Sequence, residues 1–92
     1  MFKYMDNYYL ESNQSIVEKF FKVKEEYEEV FEEFAMNNNS KSDLAQELLD
    51  LILASKNMLR KMQDEELINI GTETFNHRVK LNTYLETGKY RK

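Results

Sequence analysis

Residues 16–34 read IVEKFFKVKEEYEEVFEEF, and this stretch decides the fold class. Apolar residues recur in it at alternating steps of about four and three, which is the period of an amphipathic helix with one apolar face. The residues of this predicted apolar face are Ile16, Phe20, Val23, Tyr27, Val30 and Phe34. The pattern predicts a helix over about residues 13–37 that packs this face into a core.

A second stretch with the same period follows a polar run at residues 37–40. Its inward positions are Leu44, Leu48, Leu51, Ser55, Met58 and Met62. We expect a helix over about residues 41–63, capped by Ser40 or Ser42. Because the loop between the two helices is short, they are predicted to form an antiparallel hairpin.

A third helix is predicted after the hairpin, with Asp64 as its cap and Gly88 as its end. Gly71 lies inside this helix and costs about 1 kcal/mol relative to alanine, so the helix can break there. The first dozen residues are expected to form a short extra helix or an arm. The predicted fold is all-α: an antiparallel helical hairpin plus a C-terminal helix, in a single domain over residues 1–92.

The composition excludes several classes of protein. The 92 residues contain no cysteine, which excludes disulfides and zinc ribbons, and a single histidine, His77, which excludes a histidine-rich metal site. The net charge of −4 and a pI of about 5.0 disfavour a nucleic-acid partner. Neither a membrane span nor a secretory signal is recognisable, so a cytoplasmic protein without a membrane partner is expected.

The small size of the chain predicts self-association. A domain of this length buries only about 60% of the surface of its extended chain, and oligomers commonly complete such a core. We therefore expect a homodimer or homotetramer in which the helices of different copies complete a four-helix bundle.

The acidic residues of the two hairpin helices are predicted to converge. Helical projection at about 100° per residue places Glu26 and Glu29 on one flank of the first helix. Glu47 and Asp50 fall on the same side of the second helix in an antiparallel hairpin, and at the same level within about one turn. Glu25 falls mostly on the other side. The four converging carboxylates would repel one another, and a bound divalent cation would relieve that repulsion.

Two interpretations of these acids remain open at this stage. Ligands that are all oxygen favour Mg²⁺, with Mn²⁺ as an alternative, over zinc or copper. The other interpretation is a solvated acidic helix surface, since acidic runs on amphipathic helices are usually of that kind. Three lysines of the first helix are positioned for pairing with glutamates along the helix: Lys19, Lys22 and Lys24.

The motifs EEYEE at residues 25–29 and ELLD at residues 47–50 resemble the ExxE…ExxD signature of MazG-like, all-α nucleoside triphosphate pyrophosphohydrolases. All-α dUTPases and phosphoribosyl-ATP pyrophosphohydrolases share that signature. The resemblance covers about residues 20–60, and the ending HRVKLNTYLETGKY is similar to the basic last helix of short members. It implies Mg²⁺-dependent hydrolysis of a nucleoside triphosphate to a nucleoside monophosphate and pyrophosphate.

The resemblance also implies roles for individual residues. The implied metal ligands are Glu26, Glu29, Glu47 and Asp50. Glu25 and Glu29 take the catalytic positions, with Glu25 as a candidate for activating water or supporting the ligands. Three side chains on the same flank are expected to reach phosphate or sugar oxygens: Lys22, Asn57 and Lys61.

The sequence leaves alternatives to this activity open. It lacks the tryptophan and the proline-marked loop of longer members of the family, so the base and the sugar of the substrate stay unspecified. One alternative is a non-catalytic helical protein that dimerises through its heptad-like apolar positions. The other is a degenerate member of the family that binds a nucleotide without turning it over.

Overall fold

The computed structural model describes residues 1–36 and 40–88, and within them the chain is all-helical and contains no strand. A 3₁₀ helix and three α-helices follow one another: Lys3–Asn7, α1 (Ile16–Ala35), α2 (Lys41–Asp64) and α3 (Ile70–Thr87). Helices α1 and α2 pack as a hairpin, which confirms the all-α prediction. Most of the predicted loop, Asn37–Asn39, lies outside the described residues, as do residues 89–92.

The chain divides into two compact units, Met1–Lys61 and Met62–Lys92. The first unit holds the hairpin, and the second holds α3 together with the last residues of α2. The single domain over residues 1–92 stays a prediction. None of the helices among the described residues has the length and apolar character needed to cross a membrane.

The start of α1 is fixed by a capping box. The Glu18 backbone N–H donates to Ser15 Oγ at 3.1 Å, and the Ser15 N–H donates to Glu18 Oε1 at 3.0 Å. These two bonds satisfy donors that have no partner within the first helical turn. The helix therefore begins at Ile16, a little later than the predicted residue 13.

The cap predicted for α2 is confirmed and the cap predicted for α3 is wrong. Ser40 Oγ accepts a hydrogen bond from the Asp43 N–H at 2.9 Å, which makes Ser40 the cap of α2. Asp64 is the last residue of α2 and not the cap of α3. Asn69 takes that role, because its side chain accepts a hydrogen bond from the Thr72 N–H at 2.9 Å.

Two glycines lie near the ends of α3, Gly71 in its first turn and Gly88 directly after its last residue. The helices are interrupted between Asp64 and Ile70, so the helix does not break at Gly71 itself. Gly88 follows the last turn with a φ of 75°, the left-handed conformation that glycine adopts without steric cost. The prediction that Gly88 ends the helix is confirmed.

The face of α1 that packs inward differs from the predicted apolar face. Lys19 and Glu26 are the buried residues of α1, whereas Phe20, Tyr27 and Phe34 are more than half exposed. The apolar arc of α1 is wider than one neighbouring helix can cover, so α2 covers only part of it. The packed face is rotated by roughly 90° from Phe20 toward the side that carries Glu26. Consequently, one acidic residue lies within the hairpin seam instead of beside it.

The segment before α1 is held to the hairpin by basic side chains. Lys56 forms an ion pair with Asp6 at 2.9 Å, and Arg60 lies over the Tyr9 ring at 4.3 Å. Lys19 is only 3% exposed, and its ammonium group donates to the Leu10 carbonyl and, at 2.7 Å, to the Glu11 carbonyl. The expectation of a short extra helix in the first dozen residues is confirmed by the 3₁₀ helix Lys3–Asn7, and the segment approaches α1 and α2 near the acidic residues.

Lys19→Met is expected to lower the free energy of unfolding by about 1–3 kcal/mol, because the carbonyls of Leu10 and Glu11 lose their charged donor. Urea unfolding followed by circular dichroism measures this change. Lys41→Met, at an exposed position at the start of α2, is the control and is expected to shift the value by less than about 0.5 kcal/mol. Equal effects of the two substitutions would show that the contacts of Lys19 do not stabilise the fold.

Candidate metal site

The hairpin brings acidic residues of both helices together. Oxygens of Glu26, Glu47 and Asp50 lie within 4.8 Å of one another, which is close enough for one cation to contact all three. Glu25, Glu26 and Glu29 form a second group of the same size along α1. Glu26 belongs to both groups. The structure therefore joins three of the four predicted ligands directly, and it places Glu29 beside the shared member, Glu26.

Glu26 has the most confined carboxylate of the site. The residue is 6% exposed, and its Oε1 forms an ion pair with Lys22 Nζ at a distance of 3.0 Å. Its Oε2 is buried and has no hydrogen-bond partner among the described residues. A buried charged oxygen without a donor is costly, and a cation at this point would offset that cost.

The two helices contribute facing series of residues at heptad spacing, and all of them except Ala54 are polar. On α1 this series contains Lys19, Lys22, Glu26 and Glu29. On α2 it contains Glu47, Asp50, Ala54, Asn57 and Lys61. Residues at this spacing share one side of a helix, so the polar side chains of the seam come together because of helical geometry.

A cavity of about 250 Å³ opens beside the acidic groups. Glu26 and Asp50 contribute acidic groups to its wall, and Lys19 and Lys22 contribute basic ones. The segment before α1 contributes part of the remaining wall. A cavity with both kinds of charge suits a ligand that carries phosphate oxygens together with a cation.

The predicted substrate-binding residues have different surroundings. Lys22 lines the cavity and also lies 3.6 Å from Glu25. Asn57 is buried at 8% exposure and lines the same cavity. Lys61 donates to the Ser12 carbonyl at 3.2 Å, which directs its ammonium group to the segment before α1. Lys22 and Asn57 are therefore positioned to contact a ligand in the cavity.

Lys19 is a residue of this site that sequence reasoning did not place there. Its sequence position suggested only pairing with glutamates along α1. One signal was present, since Lys19 lies one heptad before Glu26 and so shares its side of the helix. The partners of its ammonium group are carbonyl oxygens in the preceding segment, and no periodicity reveals them.

The surroundings of the site raise the pKa values of Glu29 and Glu47. The pKa of Glu29 is raised first by Glu26, to which only a protonated Glu29 could donate a hydrogen bond, and then by the negative charges around it. Burial is the main cause that raises the pKa of Glu47, followed by the charge of Asp50. The Glu26 carboxylate raises the pKa of Lys22 by hydrogen-bonding its charged form. A divalent cation would reverse the shifts of both carboxyls, since it favours the ionised form.

The raised pKa of Glu47 leads to a prediction about pH. Its charged form destabilises the folded state above the folded pKa, and this penalty disappears once the pH falls below the unfolded pKa. Glu47→Gln is therefore expected to stabilise the metal-free protein at about pH 7, and this gain is expected to shrink toward zero near about pH 3. Thermal unfolding in a chelator at several pH values measures the difference. A gain that does not depend on pH would contradict the electrostatic cause.

Comparisons of the chain with protein-family models, with curated proteins and with solved structures give no match.

Proposed function

We propose that this protein is a Mg²⁺-dependent, MazG-like nucleoside triphosphate pyrophosphohydrolase. The observation that carries the proposal is the buried, unpartnered Oε2 of Glu26, whose carboxylate lies within 4.8 Å of ligand oxygens of Glu47 and Asp50. The motif resemblance and the adjoining cavity support it. Mn²⁺ is the alternative cation, because it prefers the same oxygen ligands.

In the proposed site, each residue has a defined task. Glu26, Glu47 and Asp50 hold the cation, and Glu29 completes the ligand set from the next turn of α1. The cation supplies charge neutralisation for the triphosphate oxygens and makes water more acidic. Lys22 and Asn57, which line the cavity, orient the phosphate chain there.

The proposed reaction is a hydrolysis without a covalent enzyme intermediate. Water forms a new bond to phosphorus while the bridging bond between the α- and β-phosphates breaks, and pyrophosphate leaves. Glu25 accepts the proton of the water, for which an exposed carboxylate beside the ligand group is suited. Most of the rate enhancement then comes from positioning and electrostatics.

The protein is proposed to act in the cytoplasm as a homodimer or homotetramer that completes a four-helix bundle. A second candidate function, a non-catalytic helical interaction protein, is favoured by one observation: the aromatic side chains of α1 that stay more than half exposed. A catalytically inactive nucleotide binder is the third candidate.

Incubation of the purified protein with a panel of ribo- and deoxyribonucleoside triphosphates tests the proposal. We expect pyrophosphate and a nucleoside monophosphate to form with Mg²⁺ and not with a chelator. Formation of orthophosphate and a nucleoside diphosphate would indicate another bond specificity. The absence of any product at high enzyme concentration would reject the enzyme. Nucleotide binding measured by calorimetry then separates an inactive binder from an interaction protein.

A further inference from the structure

Helix α1 presents a second series of large side chains on the side that α2 does not cover. We name this surface the outward face; its residues are Val17, Phe20, Lys24, Tyr27, Phe31 and Phe34. The five apolar members are between 53% and 66% exposed. The surface is contiguous along most of the helix, and patches of this kind mark interaction sites.

The spacing of the outward face is that of a coiled-coil seam. Its residues alternate in steps of three and four over the whole of α1, so they occupy successive a and d positions. One central position is charged, at Lys24, while every other member is apolar. We propose that a second copy of this chain covers the outward face, with the two α1 helices packed antiparallel.

The antiparallel direction follows from the charge at Lys24. Antiparallel pairing about the middle of the series sets Val17 against Phe34 and Phe20 against Phe31 of the second copy. It also sets Lys24 against Tyr27 of the second copy, which lies next to Glu28. Parallel pairing would instead set the two Lys24 side chains against each other, and like charges facing across a seam are unfavourable.

A groove on the outward face fits this lysine. The groove has a volume of about 520 Å³ and is lined by Tyr27, Glu28, Phe31 and Glu32. Aromatic rings attract an ammonium group over their faces, and carboxylates at the rim pair with it. By symmetry the two copies exchange this contact, so that each Lys24 enters the groove of the other copy.

The size of the outward face matches a dimer interface. Its aromatic side chains each have about 150–250 Å² of surface, and more than half of that is exposed. Together with Val17 and Lys24 they offer about 600 Å² per copy, against about 800 Å² for an interface of standard size. Contacts of the flanking glutamates add to this area.

Helix α3 does not offer an equivalent partner. Its apolar residues are spread over more than half of its circumference: Ile70, Phe75, Val79, Leu81, Tyr84 and Leu85. No heptad series of apolar residues comparable to that of α1 runs along it. A second α1 carries the matching series and also the complementary charge.

The proposed dimer is independent of nucleotide hydrolysis. Glu26 and Glu29 lie roughly 120–180° around α1 from Phe20, on the far side from the outward face. Loss of the dimer would therefore leave the acidic groups intact, and an inactive site would leave the dimer intact. The two proposals can fail separately.

Charge reversals across the groove test the arrangement. Sedimentation equilibrium of the native chain is expected to give a mass of about 22 kDa, twice that of one chain. Lys24→Glu and Glu28→Lys are each expected to raise the dimer dissociation constant at least about tenfold, since each sets like charges against each other twice. Lys41→Glu, the same charge change at the start of α2, is the control and is expected to leave the constant unchanged.

Mixing the two single variants gives the decisive result. The mixture of Lys24→Glu with Glu28→Lys is expected to form a heterodimer in native mass spectrometry, because both contacts become complementary between unlike chains. Pairing between residues 24 and 28 within one helix cannot explain this result, since each variant carries two like charges there. A native chain that stays monomeric would overturn the proposal, as would a dimer that Lys24→Glu does not weaken or a mixture that forms no heterodimer.

Discussion

Asp50→Asn is expected to lower Mg²⁺-dependent pyrophosphate release at least about 100-fold while leaving the helical content unchanged. Asp50 lies with Glu26 and Glu47 within 4.8 Å, and it also lines the cavity in which the phosphates are proposed to bind. The amide keeps the shape of the side chain and removes its charge. The attraction for the cation therefore falls, and the phosphate oxygens lose their counter-charge.

The same argument covers Glu29→Gln, which removes a carboxylate from the second acidic group. Asp64→Asn is the matched control, because it makes the same chemical change at the end of α2, outside both groups. We expect Asp64→Asn to keep full activity. Pyrophosphate release that survives in both Asp50→Asn and Glu29→Gln would exclude the acidic groups as the catalytic centre, even if the native protein is active.

The helices of this chain were predictable because their period and caps are local properties. The steps of three and four in residues 16–34 and in α2 identify both helices without knowledge of their neighbours. Ser40 and Gly88 act as predicted, since capping depends on the residues next to the helix end. Asp64 failed as a cap because Asn69, five positions later, is an equally good one and the sequence does not rank them.

The orientation of α1 was not predictable from its own residues. Phe20 served as the centre of the predicted inward face, yet it is 53% exposed, and the buried position next to it is Lys19. Hydrophobic periodicity shows that a helix has an apolar arc, but which part of the arc meets α2 depends on the packing of both helices. A wide arc can serve two interfaces. In α1 the inward part carries Lys19 and Glu26, whereas the outward face carries Phe20, Tyr27 and Phe34.

The candidate site was partly predictable because helical geometry fixes which side of a helix each residue lies on. Projection placed Glu26, Glu47 and Asp50 on one side of the hairpin, and the structure brings them within 4.8 Å of one another. It did not predict that Glu26 would be buried, because that depends on the rotation of α1. It also could not predict that the segment before α1 would complete the cavity wall. Lys19 reaches a carbonyl outside its own helix, and Lys56 reaches the Phe2 carbonyl 54 positions away, and neither contact follows from helical periodicity.

Burial of Glu26 has a large expected effect on stability. The residue is 6% exposed, one carboxylate oxygen lacks a hydrogen-bond donor among the described residues, and carboxylates of Glu47 and Asp50 lie close by. Methionine has a similar length and packs well in irregular apolar space, such as that beside Leu53 and Ala54 of the cavity wall. Glu26→Met is therefore expected to raise the free energy of unfolding by about 1–3 kcal/mol in a chelator.

Lys22→Met is expected to act in the opposite direction, although it removes the other partner of the same ion pair. It leaves the buried carboxylate without its cation, whereas Glu26→Met leaves a lysine whose side chain is half exposed and stays hydrated. Urea unfolding with and without Mg²⁺ measures both variants. The native protein should gain about 2.7 kcal/mol when Mg²⁺ reaches a hundred times its dissociation constant, and Glu26→Met should gain much less. If Glu26→Met unfolds more easily than the native protein in a chelator, the Glu26 carboxylate stabilises the fold without metal. Its burial would then carry no free-energy cost for metal binding to offset.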